Sequence, residues 1–301
     1  MRVVLAISGG VDSMAMLDIV RRRFPKEEII VAHFDHGIRD NSKLDAEFVR
    51  RKAAEYGVEF YAGRAELDEG ASEAEAREKR YEFLAKVAGS VGGEIWTAHH
   101  LDDLVETVAI NLLRGTGWRG LAGLDRAGIR RPFLETEMFY EPLDRATIYE
   151  YAAKRRLEYR EDPSNSWEEY LRNRVRKKLD GALSFEQKLE IYDLWQKQKK
   201  LKREIDEIVA GLLPSAEESE TRTNANSPSR ESGTWQRSWF IDLDEKVALE
   251  LLRAGTLCAG ISATRPQLLR FLEAIKTYQS GKSFNLPQDK LVKFSKKEFV
   301  L

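Results

Sequence analysis

The chain has 301 residues, of which 49 are Lys or Arg and 50 are Asp or Glu, so its formal net charge is −1. Hydrophobic residues make up 42% and aromatic residues 10%, which is enough for a packed core and excludes global disorder. The single cysteine, Cys258, excludes an internal disulfide framework, a four-cysteine zinc site and a CxxC redox pair.

Strands and helices alternate over the first 135 residues. The predicted elements are a strand at Val3–Ile7, a helix at Ser13–Arg23, a strand at Ile29–Ala32, a helix at Lys43–Tyr56, a strand at Val58–Tyr61, a helix at Ser72–Ala88, a strand at Ile95–Ala98 and a helix at Asp102–Leu113. This alternation predicts an α/β fold, Rossmann-like, in which a parallel sheet carries helices on both faces. Ligands of such sheets bind beyond the carboxyl ends of the strands.

From Asp144 onward the pattern is mainly helical. Helices are predicted at Thr147–Arg155, Glu169–Leu179 and Phe185 to about Leu212, followed by a flexible polar loop at Leu213–Gln236. The remainder predicts a small α+β domain with a strand at Trp239–Leu243, helices at Asp244–Ala254 and Arg265–Lys276, and short strands around Pro287. The predicted domain organisation is therefore 1–180, a helical connector at 181–212, the loop at 213–236, and 237–301.

The strongest chemical signal is the hexapeptide Ser8-Gly9-Gly10-Val11-Asp12-Ser13, between the first strand and the first helix. The glycines let the backbone approach a charged group closely, and the free N–H groups of a helix start attract anions. The two hydroxyls add donors, and Asp12 can hold Mg²⁺ against phosphate oxygens. The motif fits neither GxxxxGK[ST] nor GxGxxG. A plain capped glycine turn is the alternative, but the strand–turn–helix context favours a phosphate site.

These six residues resemble the PP-loop of the ATP pyrophosphatase superfamily, which includes GMP synthetase, NAD synthetase and several tRNA-modifying enzymes. The resemblance implies an enzyme that uses ATP and Mg²⁺ to adenylate a substrate, with release of pyrophosphate. It implies that the loop binds ATP through Ser8, Gly9, Gly10, Val11, Asp12 and Ser13. Asp12 is then the expected Mg²⁺ ligand.

Other segments indicate which family of this superfamily the chain resembles. They are His33–Arg39, Ala71–Tyr81, Thr97–Thr107, Arg114–Leu121, Arg131–Leu134, Glu161–Asn165 and Arg172–Arg176. In this order they resemble the tRNA-isoleucine lysidine synthetase family, closely over residues 3 to about 180 and more loosely in the tail, which is similar to that family's small C-terminal tRNA-binding domain in a short form. The resemblance implies ligation of free L-lysine to C2 of the wobble cytidine of tRNA(Ile) with a CAU anticodon. The reaction would pass through an adenylated cytidine and yield lysidine, AMP and pyrophosphate.

The resemblance also implies roles for single residues. Asp103 and Glu106, which lie three apart on one helix face, would receive the lysine ammonium or the reacting base. Arg77 would help to bind the activated intermediate. The further residues expected in the ATP site are His33, Asp35 and His99. A dipole-favoured acidic first turn is the alternative for the carboxylates, and a structural role is the alternative for the histidines.

Basic residues supply the expected tRNA contacts. Residues 1–150 carry 21 basic and 27 acidic side chains, whereas residues 151–301 carry 28 and 23. The arginines assigned to tRNA phosphates are Arg114, Arg172, Arg174 and Arg176. A solvated basic helix is the alternative, since the arginines between Arg172 and Arg176 cannot all share one helix face.

Three other functions are compatible with parts of the sequence. tRNA thiolation uses the same adenylation chemistry, but commonly with paired cysteines or an iron–sulfur cluster, which Cys258 alone does not supply. The four histidines and nearby aspartates suit a metal-dependent phosphohydrolase, although their spacing fits no zinc pattern. A non-enzymatic RNA-binding protein has no use for the intact Ser8–Ser13 loop.

The sequence predicts a cytoplasmic protein with no membrane partner. No apolar run approaches the roughly 20 residues that a membrane helix needs, and the first strand runs directly into a glycine turn. The sequence leaves open whether the protein forms a homodimer.

Overall fold

The computed structural model describes residues 2–25, 27–35, 37, 42–64, 73–160, 171–212 and 234–301. The chain divides into two compact units, Met1–Lys199 and Lys200–Leu301. The domain boundaries expected at residues 180, 212 and 236 stay predictions beside this division. Parts of several predicted features lie outside the described residues. They are residues 36 and 38–39 of the His33–Arg39 segment, the predicted helix residue Ser72, residues 161–170 and most of the polar loop (213–233).

The first unit is an alternating α/β structure. Its elements are β1 (Arg2–Ala6), α1 (Val11–Arg23), β2 (Glu28–Asp35), α2 (Ser42–Glu55), β3 (Glu59–Arg64), α3 (Glu73–Val91), β4 (Glu94–Thr97), α4 (Leu101–Leu113), α5 (Gly117–Leu121), β5 (Ile129–Arg130), α6 (Thr136–Phe139), α7 (Arg145–Arg155), α8 (Leu171–Leu179) and the first part of α9 (Phe185–Leu212). The two-residue strand β5 and the short helices α5 and α6 were not predicted.

The five strands pair in the order β3-β2-β1-β4-β5, and every pairing is parallel. Leu5 of β1 is in register with Val31 of β2 on one side and with Trp96 of β4 on the other. Because β2, β1 and β4 are adjacent, the segments that follow them meet at one edge of the sheet. The predicted Rossmann-like parallel sheet is confirmed, and its topology brings the three chemically unusual segments to one place.

Both faces of the sheet are covered by helices. Leu5 packs with Leu17 of α1 and Val49 of α2 on one face, whereas Val4 packs with Leu84 of α3 on the other. These side chains are almost completely buried. Successive side chains of β1 point to opposite faces, so α1 packs on one face of the sheet and α3 packs on the other. This is the arrangement of parallel sheets that are covered on both faces.

The second unit combines helices with short antiparallel strands. Its elements are the remainder of α9, β6 (Thr234–Gln236), α10 (Arg237–Asp242), α11 (Glu245–Cys258), α12 (Arg265–Thr277), β7 (Ser283–Leu286), β8 (Lys290–Lys293) and β9 (Glu298–Val300). The strands β7 and β8 form a hairpin whose turn includes Gln288 and Asp289, both with positive φ. The predicted strands around Pro287 are therefore confirmed.

The strand predicted at Trp239–Leu243 is wrong, because this segment lies mostly in the helix α10. Arg237 and Phe240 are the buried residues of α10, and they are three positions apart, which is helical spacing. The Arg237 guanidinium donates to the carbonyls of Ile275, Tyr278 and Ser295. This tertiary network anchors the helix and overrides the weak strand preference of the aromatic residues.

No helix in the described ranges is both long and apolar enough to span a membrane.

Candidate active site

The hexapeptide Ser8–Ser13 joins β1 to α1 and forms a pre-shaped turn. Gly9 has φ +96°, a conformation that L side chains rarely adopt, so glycine is required there. The Ser13 hydroxyl accepts from the Gly9 N–H at 3.2 Å and donates to the Gly10 carbonyl at 2.9 Å. Ser13 is buried, whereas Ser8 is exposed. The Ser8 hydroxyl accepts from the Gly10 N–H at 3.3 Å and lies 3.2 Å from the Ser13 hydroxyl. We infer that both hydroxyls shape the loop and that Ser8, the exposed one, can also face a ligand.

The loop leaves the start of α1 open for an anion. Gly10 is the N-cap residue, and no side chain caps the helix there. The side chain of Val11 is buried, so this residue offers only its backbone. Uncapped N–H groups at a helix start, together with the helix dipole, favour a bound phosphate.

Asp12, in the first turn of α1, has a buried carboxylate oxygen that could hold a cation. Its Oδ1 is buried and has no hydrogen-bond partner, and the nearest basic atom, His100 Nε2, lies 3.8 Å away. Burial raises the pKa of the Asp12 carboxyl, His100 opposes this, and the nearby Asp103 adds to it. An orphaned carboxylate oxygen beside an anion site suits Mg²⁺, which typically uses one or two carboxylates plus substrate phosphates.

Asp103 is held at the start of α4, next to Asp12 in space. Its Oδ2 accepts from the His100 backbone N–H at 3.1 Å, and its Oδ1 accepts from Arg172 Nη2 at 3.2 Å. Burial by itself raises the pKa of the Asp103 carboxyl, but His100, His99, Arg172 and the backbone bond outweigh it and hold the pKa well below its usual range. Asp103 therefore stays ionised at neutral pH.

Glu106, one turn further along α4, is almost fully buried and lies among three arginines. Arg145 Nη2 donates to its Oε1 at 2.9 Å, and Arg176 Nε donates to the same oxygen at 2.7 Å. Arg172 Nε donates to Oε2 at 3.0 Å. Asp103 and Glu106 thus form one carboxylate pair that α7 and α8 neutralise in the absence of substrate.

The four arginines assigned to tRNA divide into two groups. Arg172 and Arg176, four apart on α8, point together at the carboxylate pair. Arg174, on another face of α8, is exposed. Arg114 is exposed at the C-cap of α4.

His33 and Asp35 lie at the end of β2, beside the hexapeptide, and His36 lies outside the described residues. His33 Nδ1 is 2.8 Å from the Ile7 carbonyl, which only accepts, so Nδ1 carries the proton. Burial lowers the pKa of His33, and the imidazole is therefore neutral. Asp35 accepts from the Gly37 N–H at 2.8 Å. His33 thus ties β2 to the residue that precedes the hexapeptide.

His99 and Arg77 lie on the α3 side of the site. His99 Nδ1 is 2.8 Å from the Thr97 hydroxyl. Burial lowers the pKa of His99 well below its usual range; Asp103 opposes this, and Arg131, Arg80 and Arg77 add to it. Arg77 Nη2 donates to the Tyr81 hydroxyl at 3.2 Å. His99 therefore lies within electrostatic reach of both Asp103 and these three arginines.

The sequence reasoning missed two residues that the structure places in the site. Arg145 begins α7, and Lys188 of α9 donates to Asp102 at 2.7 Å and lies 3.6 Å from Asp144. Neither belongs to a recognisable motif. Only the rule that buried carboxylates need partners indicates that basic residues must come from elsewhere in the chain.

The described residues contain no group of three or more His, Cys, Asp and Glu side chains arranged to hold a metal ion. The ring nitrogens of His33 and His99 contact Ile7 and Thr97 instead. These contacts involve Nδ1 of each ring, and the roles of both histidines in ATP binding stay predictions.

His33 gives the first unit a predicted pH dependence. The pKa of His33 is lower in the folded state than the ordinary value of about 6.5, so the unfolded chain binds the proton more tightly. The free energy of unfolding therefore falls as the pH drops below that value. We expect His33→Gln, which can still donate to Ile7, to lose less stability than wild type between pH 7.5 and 5.5. The difference is bounded by about 1.4 kcal/mol per pH unit. Urea unfolding at the two pH values measures it, and equal losses in both proteins would refute the role of His33.

Comparison with known proteins agrees with this geometry. The curated relatives include a tRNA(Ile)-lysidine synthase of Enterococcus faecalis, 37% identical over 184 residues, and one of Thermotoga maritima, 39% identical over 188 residues. The matches cover 59% of this chain but 39% and 44% of those proteins, so the chain spans less than half of their length. Among solved structures, the U34-tRNA thiolase NcsA from Methanococcus maripaludis has a TM-score of 0.52 at 19% identity, covers 67% of this chain and 72% of its own, and shares the fold.

The PP-loop domain family matches residues 1–183, which include the hexapeptide, the carboxylate pair and α8. The pre-shaped turn, the open helix start and the orphaned Asp12 oxygen all fall inside the matched region. The chain therefore belongs to the PP-loop domain family.

Proposed function

We propose that the protein is an ATP-dependent tRNA(Ile)-lysidine synthase. The observation that carries this proposal is the placement of an anion-binding helix start, an orphaned carboxylate and a buried carboxylate pair at one edge of a PP-loop sheet. The relatives that share this region are named tRNA(Ile)-lysidine synthase. The substrates are then ATP, free L-lysine and tRNA(Ile) with a CAU anticodon, in the cytoplasm.

In the first step, the C2 oxygen of the wobble cytidine attacks the α-phosphate of ATP, and pyrophosphate leaves. The backbone N–H groups at the start of α1 and the Ser8 hydroxyl hold the phosphates, an electrostatic role that strengthens as charge develops. Asp12 would hold Mg²⁺, which supplies charge neutralisation for the phosphates when bound. The cytidine must be unstacked to reach this edge of the sheet.

In the second step, the ε-amine of lysine attacks C2, the C–N bond forms, and AMP leaves. The amine must lose its proton before it can attack. Because the pKa of Asp103 is held low, we assign to Asp103 the binding of the ammonium group and to Glu106 the acceptance of the proton. The arginines that now neutralise this pair must yield to the incoming ammonium.

The test is nucleotide product analysis with the purified full chain, Mg²⁺ and ATP. We expect AMP and pyrophosphate to form only when tRNA(Ile) is present. Formation of ADP and phosphate, or hydrolysis that is independent of tRNA, would refute adenylation of tRNA and favour the phosphohydrolase alternative. Thiolation remains the nearest competitor in chemistry, but the solved thiolase carries a [4Fe-4S] cluster, and this chain has one cysteine.

Arg174 is our candidate for a tRNA phosphate contact on α8, because it is exposed while Arg172 and Arg176 contact carboxylates. We expect Arg174→Gln to weaken tRNA binding and to reduce the salt slope of binding by about one unit. Filter binding at several salt concentrations measures the slope. The matched control is Arg51→Gln, an exposed arginine of α2 paired with Glu55 and Glu158. An unchanged slope in Arg174→Gln would exclude the phosphate contact.

A further inference from the structure

A second cluster of cations lies on the α3 side of the site, away from the hexapeptide. Arg77 and Arg80 are on α3, and Arg131 directly follows β5. Both α3 arginines lie against the ring of Tyr81, with their guanidinium carbons 5.1 Å and 5.2 Å from its centre. Tyr81 is itself buried. The cluster therefore concentrates positive charge in a largely water-excluded place.

Two of these guanidiniums have unused donors. Arg131 is only 7% exposed, and its Nε and Nη2 are buried without a hydrogen-bond partner, whereas its Nη1 donates to the Ile129 carbonyl at 3.2 Å. Arg80 Nε is likewise buried without a partner. Within the described ranges, no carboxylate forms an ion pair with Arg80 or Arg131. Buried guanidinium donors without a partner are costly, so an anion that accepts from them would stabilise this cluster.

The neighbouring Arg126 differs from Arg80 and Arg131 because it is paired with a carboxylate. Arg126 also lies over Tyr81, at 4.3 Å from the ring centre, but both of its terminal nitrogens donate to the Glu78 carboxylate at 2.8 Å and 3.0 Å. Its charge is thus neutralised on the protein. Burial lowers the pKa of both Arg80 and Arg131, and Arg77 adds to this; Tyr81 opposes the shift in both, and Asp125 opposes it in Arg131.

We propose that Arg80 and Arg131, with Arg77, form a phosphate-binding pocket that is separate from the hexapeptide loop. Several forked donors near one buried tyrosine, Tyr81, match the tetrahedral oxygens and the multiple charge of a phosphate group better than they match a single carboxylate. The charges of all three arginines and of Asp103 act on His99, so the pocket and Asp103 are both near this imidazole. A phosphate held there is close to the reacting groups without competing for the start of α1.

The proposal rests on the proposed function only for the source of the phosphate, which is AMP or pyrophosphate. The test is calorimetric titration of the full chain with AMP, adenosine, pyrophosphate or lysine, without tRNA, so that it does not depend on lysidine formation. We expect wild type to bind AMP more tightly than adenosine. Arg131→Gln should weaken AMP about 10- to 100-fold, the loss expected for charge-assisted hydrogen bonds, and should leave adenosine unchanged. Arg126→Gln is the matched control and should bind AMP as wild type does.

The other outcomes separate the sources. A loss confined to pyrophosphate would keep the pocket and assign it to the leaving group. A loss confined to lysine would overturn the proposal, because the anion would then be a carboxylate, and so would unchanged affinities for all four probes. A failed product analysis with a positive titration would reject lysidine synthesis and leave the pocket standing.

The thermal unfolding midpoint tests the proposal in a second way, because replacing an arginine that only stabilises the fold would lower this midpoint. Arg131→Met removes an unpaired buried charge and keeps an apolar side chain of similar length. We expect it to raise the thermal midpoint of the ligand-free protein and to abolish the further rise that AMP or pyrophosphate produces in wild type. A lowered midpoint with intact ligand stabilisation would mean that Arg131 serves only the fold.

Discussion

Glu106→Gln is expected to lower the rate of lysine transfer to tRNA by about 10²- to 10⁴-fold, the range for loss of a general base. The amide keeps the shape of the side chain but cannot take the ammonium proton. Asp103→Asn should instead act mainly on KM for lysine, because Asp103 is the ionised group that we assign to ammonium binding. Steady-state kinetics with lysine as the varied substrate separate the two effects.

Folding must be monitored in these variants. Glu106 neutralises Arg145, Arg172 and Arg176, so its replacement leaves their charges uncompensated and is expected to destabilise the first unit by about 3–5 kcal/mol. Urea unfolding gives that value, and rates are compared where each variant is folded. Glu55→Gln, an exposed carboxylate of α2 paired with Arg51 and Lys52, is the control for loss of a negative charge. Near wild-type lysine transfer in both Glu106→Gln and Asp103→Asn would refute the assigned roles.

Asp12→Asn is expected to raise the stability of the ligand-free fold and to lower the activity. Its carboxyl has a raised pKa because burial and Asp103 disfavour the charge, so neutralising it should stabilise the ligand-free fold at neutral pH. The same change removes the oxygen that would hold Mg²⁺ and should lower ATP turnover about 10²-fold or more. Thermal unfolding without nucleotide and an AMP-release assay measure the two effects.

The Mg²⁺ dependence of stability provides a further check on Asp12. Wild type should gain thermal stability when Mg²⁺ and ATP are added together, and Asp12→Asn should gain less. Asp45→Asn, an acidic residue near the start of α2 that pairs with Arg160, is a control for general loss of negative charge. A destabilised Asp12→Asn variant that retains its activity would show that the Asp12 carboxylate serves the fold and not the metal.

The sequence predicts the sheet because each strand and its following helix carry local signals. Apolar runs such as Val3–Ile7 indicate strands buried on both faces, and the glycine turn after them marks a helix start. It does not predict β5, since two residues carry no periodicity. Nor does it predict α10, where the carbonyls that hold Arg237 come from positions 38 to 58 residues away.

In the candidate site, too, the sequence predicts features that depend on local patterns and misses contacts between distant residues. The hexapeptide and the Asp103–Glu106 spacing are local patterns, and both were predicted. The contacts that Arg145 and Arg176 make with Glu106 join residues 39 and 70 positions apart, so no local pattern reports them. Helical spacing shows only that Arg172 and Arg176 share a face, and the tertiary fold determines that this face meets carboxylates.

Transfer of labelled lysine to defined tRNA transcripts tests the central proposal most directly. The protein is incubated with ATP, Mg²⁺ and labelled L-lysine, together with tRNA(Ile) bearing CAU or the same transcript with its wobble cytidine changed to uridine. We predict that label enters the first transcript in amounts matching the AMP released, and that it does not enter the second. Folded, ATP-competent protein that leaves both transcripts unlabelled would contradict the account.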